Sequence, residues 1–334
     1  MTAITETFRP PAAGPGDLPM AAGISQPPSG FDRLVDRSTR GFAWTFAAGT
    51  IVLLSFIVYE IGLASIPAVK HHGLSLITSG SWDVNKEYFG LRWPILGTIY
   101  SSVIALLIAG VFGVAIAVFL SQNFIPRRME IVFKNIVELL AAIPSVVYGL
   151  WGIFVVIPLL RPPANALASH LGGWFPFLSG RLSGPGMLPA ALVLAIMVLP
   201  TISAISYDSL ISVNPKIKEA AYGLGATRWE AILKVILPTA STGIFGSIIL
   251  GFGRAMGETM ALAMLLGNVN HFSVSLLSPG NTLAALIAND FPEAAPAELD
   301  VLLFAGMTLL AITLLVNVLG ALVIQFANRG RGGR

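Results

Sequence analysis

Residues 219–238 read EAAYGLGATRWEAILKVILP, a charged and glycine-containing segment that separates two long apolar stretches. Asn214, a few residues upstream, is a good helix N-cap, and Pro215 suits the first position of a helix. A short helix is therefore predicted from Pro215 until Gly223 or Gly225 ends it.

A second helix start lies within the same segment. Thr227 is followed three residues later by Glu230, which is the spacing of a capping box. The helix that begins here would lead directly into the next apolar stretch. The sequence thus predicts a helix, a glycine break and another helix in a polar loop at 209–237.

The composition places this loop in a membrane protein. The chain has 334 residues, of which 55% are apolar and only 11% charged, whereas soluble domains average about 25% charged residues. About 20 apolar residues cross a hydrocarbon core, and six segments reach that length, so an all-α integral membrane fold with six transmembrane helices is expected. The predicted spans are 42–66, 93–120, 131–160, 187–207, 238–266 and 301–326.

The distribution of Lys and Arg predicts the orientation. With the N-terminus inside, 14 of the 20 Lys and Arg residues fall on the cytoplasmic side, and the 267–300 loop on the other side holds none. Both termini and the 209–237 loop are therefore expected in the cytoplasm. The remaining predicted segments are a disordered cytoplasmic tail at 1–41, an external loop at 67–92 and a cytoplasmic tail at 327–334.

Residues that the sequence lacks disfavour several functions. There are no cysteines, which excludes disulfides and thiolate chemistry, and no Gly-Lys pair, which excludes a P-loop for ATP. The four histidines fall in three different loops, which disfavours a metal site. The basic pI reflects juxtamembrane residues rather than nucleic-acid binding, and no signal peptide is expected before the first span.

The fifth apolar stretch contains two charges. Arg254 and Glu258 would lie about one turn apart on a continuous helix near mid-bilayer, where charges are costly and usually face a pathway or a partner. Gly253 and Gly257 share a face with small-residue spacing, so a helix or a ligand could approach there. The fork of N–H donors on Arg suits an oxyanion, but a structural Arg254–Glu258 salt bridge is the alternative.

Three further residues are ambiguous from sequence. Pro144 and Pro200 are expected either to break their helices, as around transporter sites, or only to kink them. Glu138, near one end of the third predicted span, fits a wet helix face as well as a gating role.

The 219–238 segment resembles the cytoplasmic EAA loop of type I permease subunits of ABC importers. The pattern falls on Glu219, Ala220, Ala221, Gly225, Leu237 and Pro238, with Val235 where the family usually has Ile. The resemblance implies that these residues dock a separate ATPase and that the chain itself is a non-catalytic subunit without a cofactor. The small residues would admit the ATPase surface, with Glu219, Lys216 and Lys218 at the rim.

A second resemblance narrows the family. GRAMGETMA at 253–261, SPGNTL at 278–283 and IANDFPEA at 287–294, together with HHGLSLITSGSWDV at 71–84, resemble phosphate-specific permease subunits of the PstC type. The similarity covers roughly residues 42–326. It implies a phosphate pathway through Arg254 and Glu258, with a PstA-type permease, PstB-type ATPases and a PstS-type periplasmic binding protein as partners in the bacterial inner membrane.

Several alternatives remain open at this level. Within the family, the chain could serve another oxyanion such as sulfate or molybdate, or it could be the paired A-type phosphate permease. A secondary transporter is disfavoured by the single EAA loop and by the absence of a second charged inner helix. A purely structural or sensory membrane protein would not need two buried charges.

Overall fold

The computed structural model describes residues 30–329, and nearly all of them are helical. Six of the helices in this range are long and apolar enough to cross a membrane, which confirms the predicted all-α fold with six spans. The six spans are Leu34–His72, Arg92–Ser121, Ser145–Leu171, Met187–Ile211, Arg228–Met256 and Pro296–Phe326.

The elements follow one another as thirteen α-helices and one small hairpin in the described chain. The helices are α1 (Gly30–His72), α2 (Ser75–Thr78), α3 (Arg92–Ser121), α4 (Arg127–Ala142), α5 (Ser145–Trp151), α6 (Ile157–Leu171), α7 (Met187–Ile211), α8 (Pro215–Gly223), α9 (Arg228–Ala231), α10 (Leu237–Met256), α11 (Met260–Leu265), α12 (Leu283–Asp290) and α13 (Pro296–Arg329). The strands are β1 (Trp82–Asp83) and β2 (Tyr88–Phe89), which pair antiparallel.

Two π-helical segments join helices into longer spans. Gly152–Val156 connects α5 to α6, and Ile232–Ile236 connects α9 to α10. Short 3₁₀ turns occupy Val84–Lys86, Pro176–Leu178 and Phe291–Glu293.

The predicted boundary between the tail at 1–41 and the first span at 42–66 is wrong. α1 extends from Gly30 to His72, so residues 30–41 are helical rather than a disordered tail. They contain no proline, and their charged residues are compatible with a helix although they are not apolar. Residues 1–29 and 330–334 lie outside the described range, and α13 continues through residues 327–329 of the predicted tail.

The chain divides into two compact units, one up to Tyr59 and one from Glu60 onward. In the first unit, the described part is the beginning of α1, whose side chains are largely exposed. The second unit holds the remaining five spans and the connections between them.

The predicted external loop at 67–92 is ordered. It contains the end of α1, the short helix α2 and the hairpin, in which Trp82 pairs with Phe89. Leu76, Phe89 and Leu91 are buried in one apolar cluster with Leu302 of α13. The segment is therefore a folded cap on the second unit rather than a solvated loop.

The predicted third span at 131–160 is wrong. The structure ends α4 at Ala142, leaves Ile143 and Pro144 extended, and starts α5 at Ser145. Proline lacks an N–H donor and disfavours helical geometry in the residue before it, which accounts for the break. The membrane-crossing segment is instead Ser145–Leu171, and α4 is a separate amphipathic helix.

Pro200, in contrast, does not break its helix. α7 is continuous from Met187 to Ile211, with Pro200 buried inside it. Neighbouring helices hold this span from several sides, because α7 packs against both α3 and α10. Such packing tolerates proline within a membrane helix. Of the two alternatives left open by the sequence, the helix break is therefore found at Pro144 and not at Pro200.

Small residues bring α7 and α10 close together. An added Cβ at Gly251 would stand about 3 Å from Val198 and Ile202 of α7. One turn earlier on α10, Ser247 shares a buried 2.8 Å hydrogen bond with Ser206. Close approach at small residues, with a polar contact between helices, is a common way to hold membrane helices together.

Candidate functional site

The predicted fifth span at 238–266 ends early, and this changes the surroundings of Arg254. α10 ends at Met256, residues 257–259 are not helical, and α11 then begins at Met260. Arg254 thus lies in the last turn of α10, where the negative end of the helix dipole favours a cation.

The guanidinium of Arg254 is oriented by a neighbouring span. Its Nη1 donates to Oγ1 of Thr201 on α7 at 3.2 Å. The side chain is otherwise exposed, and none of the three ion pairs within residues 30–329 includes it. Arg254 therefore presents an uncompensated positive charge.

Glu258 does not pair with Arg254 in this structure. Because α10 has ended, the two residues do not share a helical face. The Glu258 carboxylate lies at the beginning of α11, where Oε1 accepts weakly from the Ala261 N–H at 3.5 Å. The alternative of a structural Arg254–Glu258 salt bridge is therefore not formed here.

Arg254 faces an open cleft of about 700 Å³ between three spans. The walls are Thr201 from α7, residues near the end of α10, and one face of α13. The lining residues are Thr201, Leu250, Gly253, Arg254, Gly257, Gly306, Leu309, Leu310, Thr313 and Asn317. Both glycines expected beside the pathway, Gly253 and Gly257, are among them.

The break after Met256 is at the level of the central core. Ala255 just before it and Ala261 just after it are buried in the same cluster as Ala105 and Ala109, from the middle of α3. Irregular backbone at membrane depth is tolerated where it is buried in protein or lines a cavity. The end of α10 meets both conditions, and broken helices of this kind commonly surround transporter sites.

The loop at 209–237 folds as its local signals predict. Asn214 Oδ1 accepts from the Lys216 N–H at 3.0 Å at the start of α8, and Gly225 has a positive φ of 84° just after its end. Thr227 and Glu230 form the complete capping box at the start of α9.

The second half of this loop is anchored to the turn between α3 and α4. Arg228 donates to the carbonyl of Gln122, and its guanidinium lies 3.9 Å from the ring centroid of Phe124. Trp229 contacts the same ring, with centroids 5.5 Å apart. Ile232 and Ile236 then enter a buried cluster with Leu210. The loop is thus attached rigidly to the spans on both sides of it.

The exposed face of this loop differs in part from the predicted contact face. Glu219, Ala220 and Gly225 are exposed, but Ala221 is buried against the chain itself. Lys218 donates from Nζ to the Leu210 carbonyl at 3.4 Å, and burial lowers the pKa of this amine. Ala221 is therefore not part of the exposed face, and Lys218 is half-buried with its amine bonded within the chain.

Sequence reasoning missed three residues at these two sites. Leu224 is 89% exposed at the tip of the loop, beside the exposed Ala220 and Gly225, so its side chain is available to contact a partner. Thr201 and Asn317 contribute polar atoms to the Arg254 cleft. Asn317 had a visible signal, because an amide in the apolar run LLVNVLG is costly unless it has a function or a partner.

Other candidates from the sequence remain outside both sites. Within residues 30–329 no group of three His, Asp or Glu residues could hold a metal ion. Glu138 forms an exposed 3.9 Å ion pair with Lys134 on α4, and Tyr207 donates to Glu130 on the same helix at 2.6 Å. The Tyr207–Glu130 hydrogen bond attaches α4 to α7, whereas the Glu138–Lys134 pair lies within α4.

Residues 109–330 match the family described as binding-protein-dependent transport system inner membrane component. The chain belongs to this family. The matched range includes the loop at 209–237, Arg254 and Asn317. This transport component is accordingly a multi-pass membrane protein and a permease subunit.

Curated relatives of this inner membrane component are similar over most of their length. The phosphate transport system permease protein PstC of Haemophilus influenzae is 39% identical over 294 residues, covering 86% of this chain and 92% of that protein. The PstC protein of Mesorhizobium japonicum is 40% identical over 296 residues, covering 84% of this chain and 90% of the relative.

Solved structures agree on the fold. A chain of a bacterial alginate ABC transporter, solved with an alginate-bound periplasmic protein, has a TM-score of 0.57 and 17% identity over 85% of this chain and 94% of its own. A chain of the inward-facing MetNI methionine ABC transporter has a TM-score of 0.52 and 17% identity over 71% of this chain and 95% of its own. The expected permease fold is confirmed.

Proposed function

We propose that this chain is the permease subunit that forms the anion pathway of an ATP-driven phosphate importer. The observation that carries the proposal is Arg254, an uncompensated cation that faces an open cleft where a membrane helix ends. An arginine offers several N–H donors in a planar fork, which suits a tetrahedral oxyanion. The names of the relatives in Haemophilus and Mesorhizobium point to phosphate among the oxyanions.

The cleft is one half of the pathway in this proposal. Within the described residues the cleft is lined by α7, the end of α10 and α13, and it is open to the outside of the single chain. A second permease of the PstA type would complete it. The family description requires a binding protein, which for this chain would be of the PstS type and would deliver phosphate from outside.

ATP hydrolysis would reach the cleft through the loop at 209–237. Leu224, Ala220 and Gly225 form an exposed docking face for an ATPase of the PstB type. The loop continues without interruption through α9 and the π segment into α10, which ends beside Arg254. Movement of the docked ATPase would therefore displace the cation of the pathway. This arrangement requires the loop, and with it both termini, to be cytoplasmic.

Uptake measurements in a strain that lacks this chain test the proposal. Complementation with the wild type should restore uptake of radiolabelled phosphate and leave sulfate uptake unchanged, whereas Arg254→Gln should restore none. Arg161→Gln, which removes an exposed arginine from α6, is the matched control and should transport normally. Complex assembly is checked by copurification of the ATPase. Normal phosphate uptake with Arg254→Gln, or dependence of sulfate uptake on this chain, would contradict the proposal.

A further inference from the structure

A second polar group faces the cleft from α13, beside the end of α10. Asn317 of α13 is exposed to the cleft, and its side chain makes no hydrogen bond to any other residue in the part of the chain that the structure describes. A carboxamide has two N–H donors and a carbonyl acceptor. Leaving these groups unsatisfied in a membrane span costs free energy. A ligand in the cleft would supply the missing hydrogen-bonding partner.

A glycine of α10 makes room for this carboxamide. A Cβ built on Gly253 would stand only 3.2 Å from Asn317 Oδ1 and 3.5 Å from Nδ2. An alanine at this position would make the carboxamide shift by a few tenths of an ångström. Gly253 directly precedes Arg254 in the chain, so the amide and the guanidinium enter the same cleft from adjoining positions of the α10–α13 contact.

The other cleft hydroxyl on α13 is already satisfied. Thr313, one turn before Asn317, donates from Oγ1 to the Leu309 carbonyl of its own helix at 2.9 Å. The Thr201 hydroxyl accepts from Arg254. Asn317 is therefore the polar side chain on α13 that has both donor and acceptor capacity available for a ligand in the cleft.

We propose that Asn317 is a specificity-determining residue of the anion pathway, acting on the same ligand as Arg254. Its N–H donates to an anion oxygen, and its carbonyl accepts the hydrogen of a protonated oxyanion. Hydrogen phosphate carries such a hydrogen at neutral pH, whereas sulfate does not. The Asn317 carbonyl is neutral, so it can accept this hydrogen without repelling the anion. The Glu258 carboxylate, in contrast, would repel the anion. This inference rests on the proposed anion pathway at Arg254.

Selectivity would come from the cost of leaving a polar group of the site without a hydrogen-bonding partner. A site built to hydrogen-bond a hydroxyl rejects an analogue that lacks it, because the polar group of the site is then left without a partner. The Asn317 carbonyl would be in that position if sulfate entered the cleft. Selection at the membrane would then add to whatever selection the binding protein exerts.

The test uses the full transporter, with both permeases and the ATPase reconstituted in liposomes. Because the family depends on a binding protein, the phosphate concentration dependence reports that protein, so the rate is measured with saturating phosphate-loaded binding protein. Asn317→Leu should lower this rate about tenfold, as expected for one lost ligand hydrogen bond. Thr308→Val is the control: its hydroxyl donates to the Phe304 carbonyl of the same helix at 2.9 Å and it does not line the cleft, so the rate should be unchanged.

A charged variant supplies a readout that a packing role would not change. Asn317→Asp keeps the shape of the side chain but can be negatively charged, so it should repel the anion more as the pH rises. The rate of Asn317→Asp should fall more steeply between pH 6 and pH 8 than that of the wild type, while Asn317→Leu should keep the wild-type pH profile.

Two glycine variants test the position of the amide without removing it. Gly253→Ala should displace the carboxamide and slow transport severalfold. Gly246→Ala, two turns earlier on α10, has open space around an added Cβ and should have no effect. This pair of variants remains informative if the Asn317 variants do not assemble.

The outcomes separate this inference from the proposed function. If Arg254→Gln is inactive but Asn317→Leu and Gly253→Ala transport at the wild-type rate, the pathway stands and the role of Asn317 is wrong. If Asn317→Leu lowers only the yield of complex and each assembled complex turns over normally, the residue is an assembly contact and the inference is also wrong. If Arg254→Gln transports normally, the pathway itself is wrong.

Discussion

The loop at 209–237 and the cleft around Arg254 are built in opposite ways, although they are joined by the helix that runs from Arg228 to Met256. The turns within the loop are formed by hydrogen bonds between residues two or three positions apart, as in the Thr227–Glu230 capping box. The cleft combines Thr201, Arg254 and Asn317 from three spans that are distant in the sequence.

This difference matters for how each region responds to change. The loop is anchored by Arg228 and Trp229 against Phe124 and is expected to move as a unit. The cleft has one hydrogen bond between side chains of different spans, Arg254 to Thr201, and both Arg254 and Asn317 are exposed. A rigid loop transmits force, whereas an open cleft with few internal contacts can rearrange around an anion.

The loop and the 267–300 segment are expected to lie on opposite sides of the membrane. Labelling of the two segments from outside is expected to show the largest difference. The chain has no cysteine, so a single introduced thiol can be labelled without background. Asn289→Cys should react fully with an impermeant thiol reagent added outside intact cells, and Ser212→Cys should react only after permeabilisation. A reversed pattern would contradict the orientation and the docking role of the loop.

A substitution at Leu224 should weaken docking of the ATPase without affecting folding of the spans. Leu224→Glu should reduce copurification of the ATPase by tenfold or more, because a large apolar contact is replaced by a charge at the tip of the loop. The span helices should still insert, since the side chain is 89% exposed. Leu74→Glu, at a site that is 81% exposed near α2, is the control and should copurify the ATPase normally. Equal copurification for both variants would exclude Leu224 from the docking face.

Substitutions at Ala220 and Ala221 of α8 also distinguish effects on docking from effects on folding. Ala221→Glu should destabilise the protein by about 2–4 kcal/mol, because it places a charge in a buried position. Ala220→Glu should leave the thermal unfolding temperature unchanged and weaken ATPase binding, because Ala220 is exposed. Thermal unfolding of the purified complex distinguishes the two. Similar unfolding temperatures would show that Ala221 is not buried in the assembled protein.

The smallest effect is expected at Thr201, which orients Arg254 without carrying charge. Thr201→Val keeps the shape of the side chain but removes the hydroxyl that accepts from Arg254. One neutral partner of this kind contributes about 1 kcal/mol, so the transport rate at saturating loaded binding protein should fall about fivefold. Transport at the wild-type rate would indicate that the guanidinium does not need this orientation.

The loop could be predicted from the sequence because its determinants are local. Asn214, Thr227 and Gly225 act on backbone groups within three residues, so the residue types and their spacing define the geometry. Burial of Ala221 could not be predicted, because it depends on packing against elements outside the loop. The apolar spans were recognisable by length and composition alone.

The cleft was predictable only in part. The charge of Arg254 in an apolar span marked the site, but a continuous helix was assumed through Glu258, and the end of α10 at Met256 carries no proline as a signal. Pro144 and Pro200 show that the presence of a proline does not by itself predict a helix break. One proline breaks its helix and the other does not, because α7 is packed on several sides and the segment around Ile143 is largely exposed.

The π-helical segment Ile232–Ile236 gives the span between loop and cleft an unusual tolerance of length. Each residue of an α-helix turns the chain by about 100°, so deleting one residue within α10 would rotate Arg254 away from the cleft relative to the loop. A π segment behaves as an α-helix with one residue inserted. Losing one residue there would restore regular α-helix and preserve the angular phase between Leu224 and Arg254. The span can thus shorten by one residue at this point without changing which face of α10 lines the cleft.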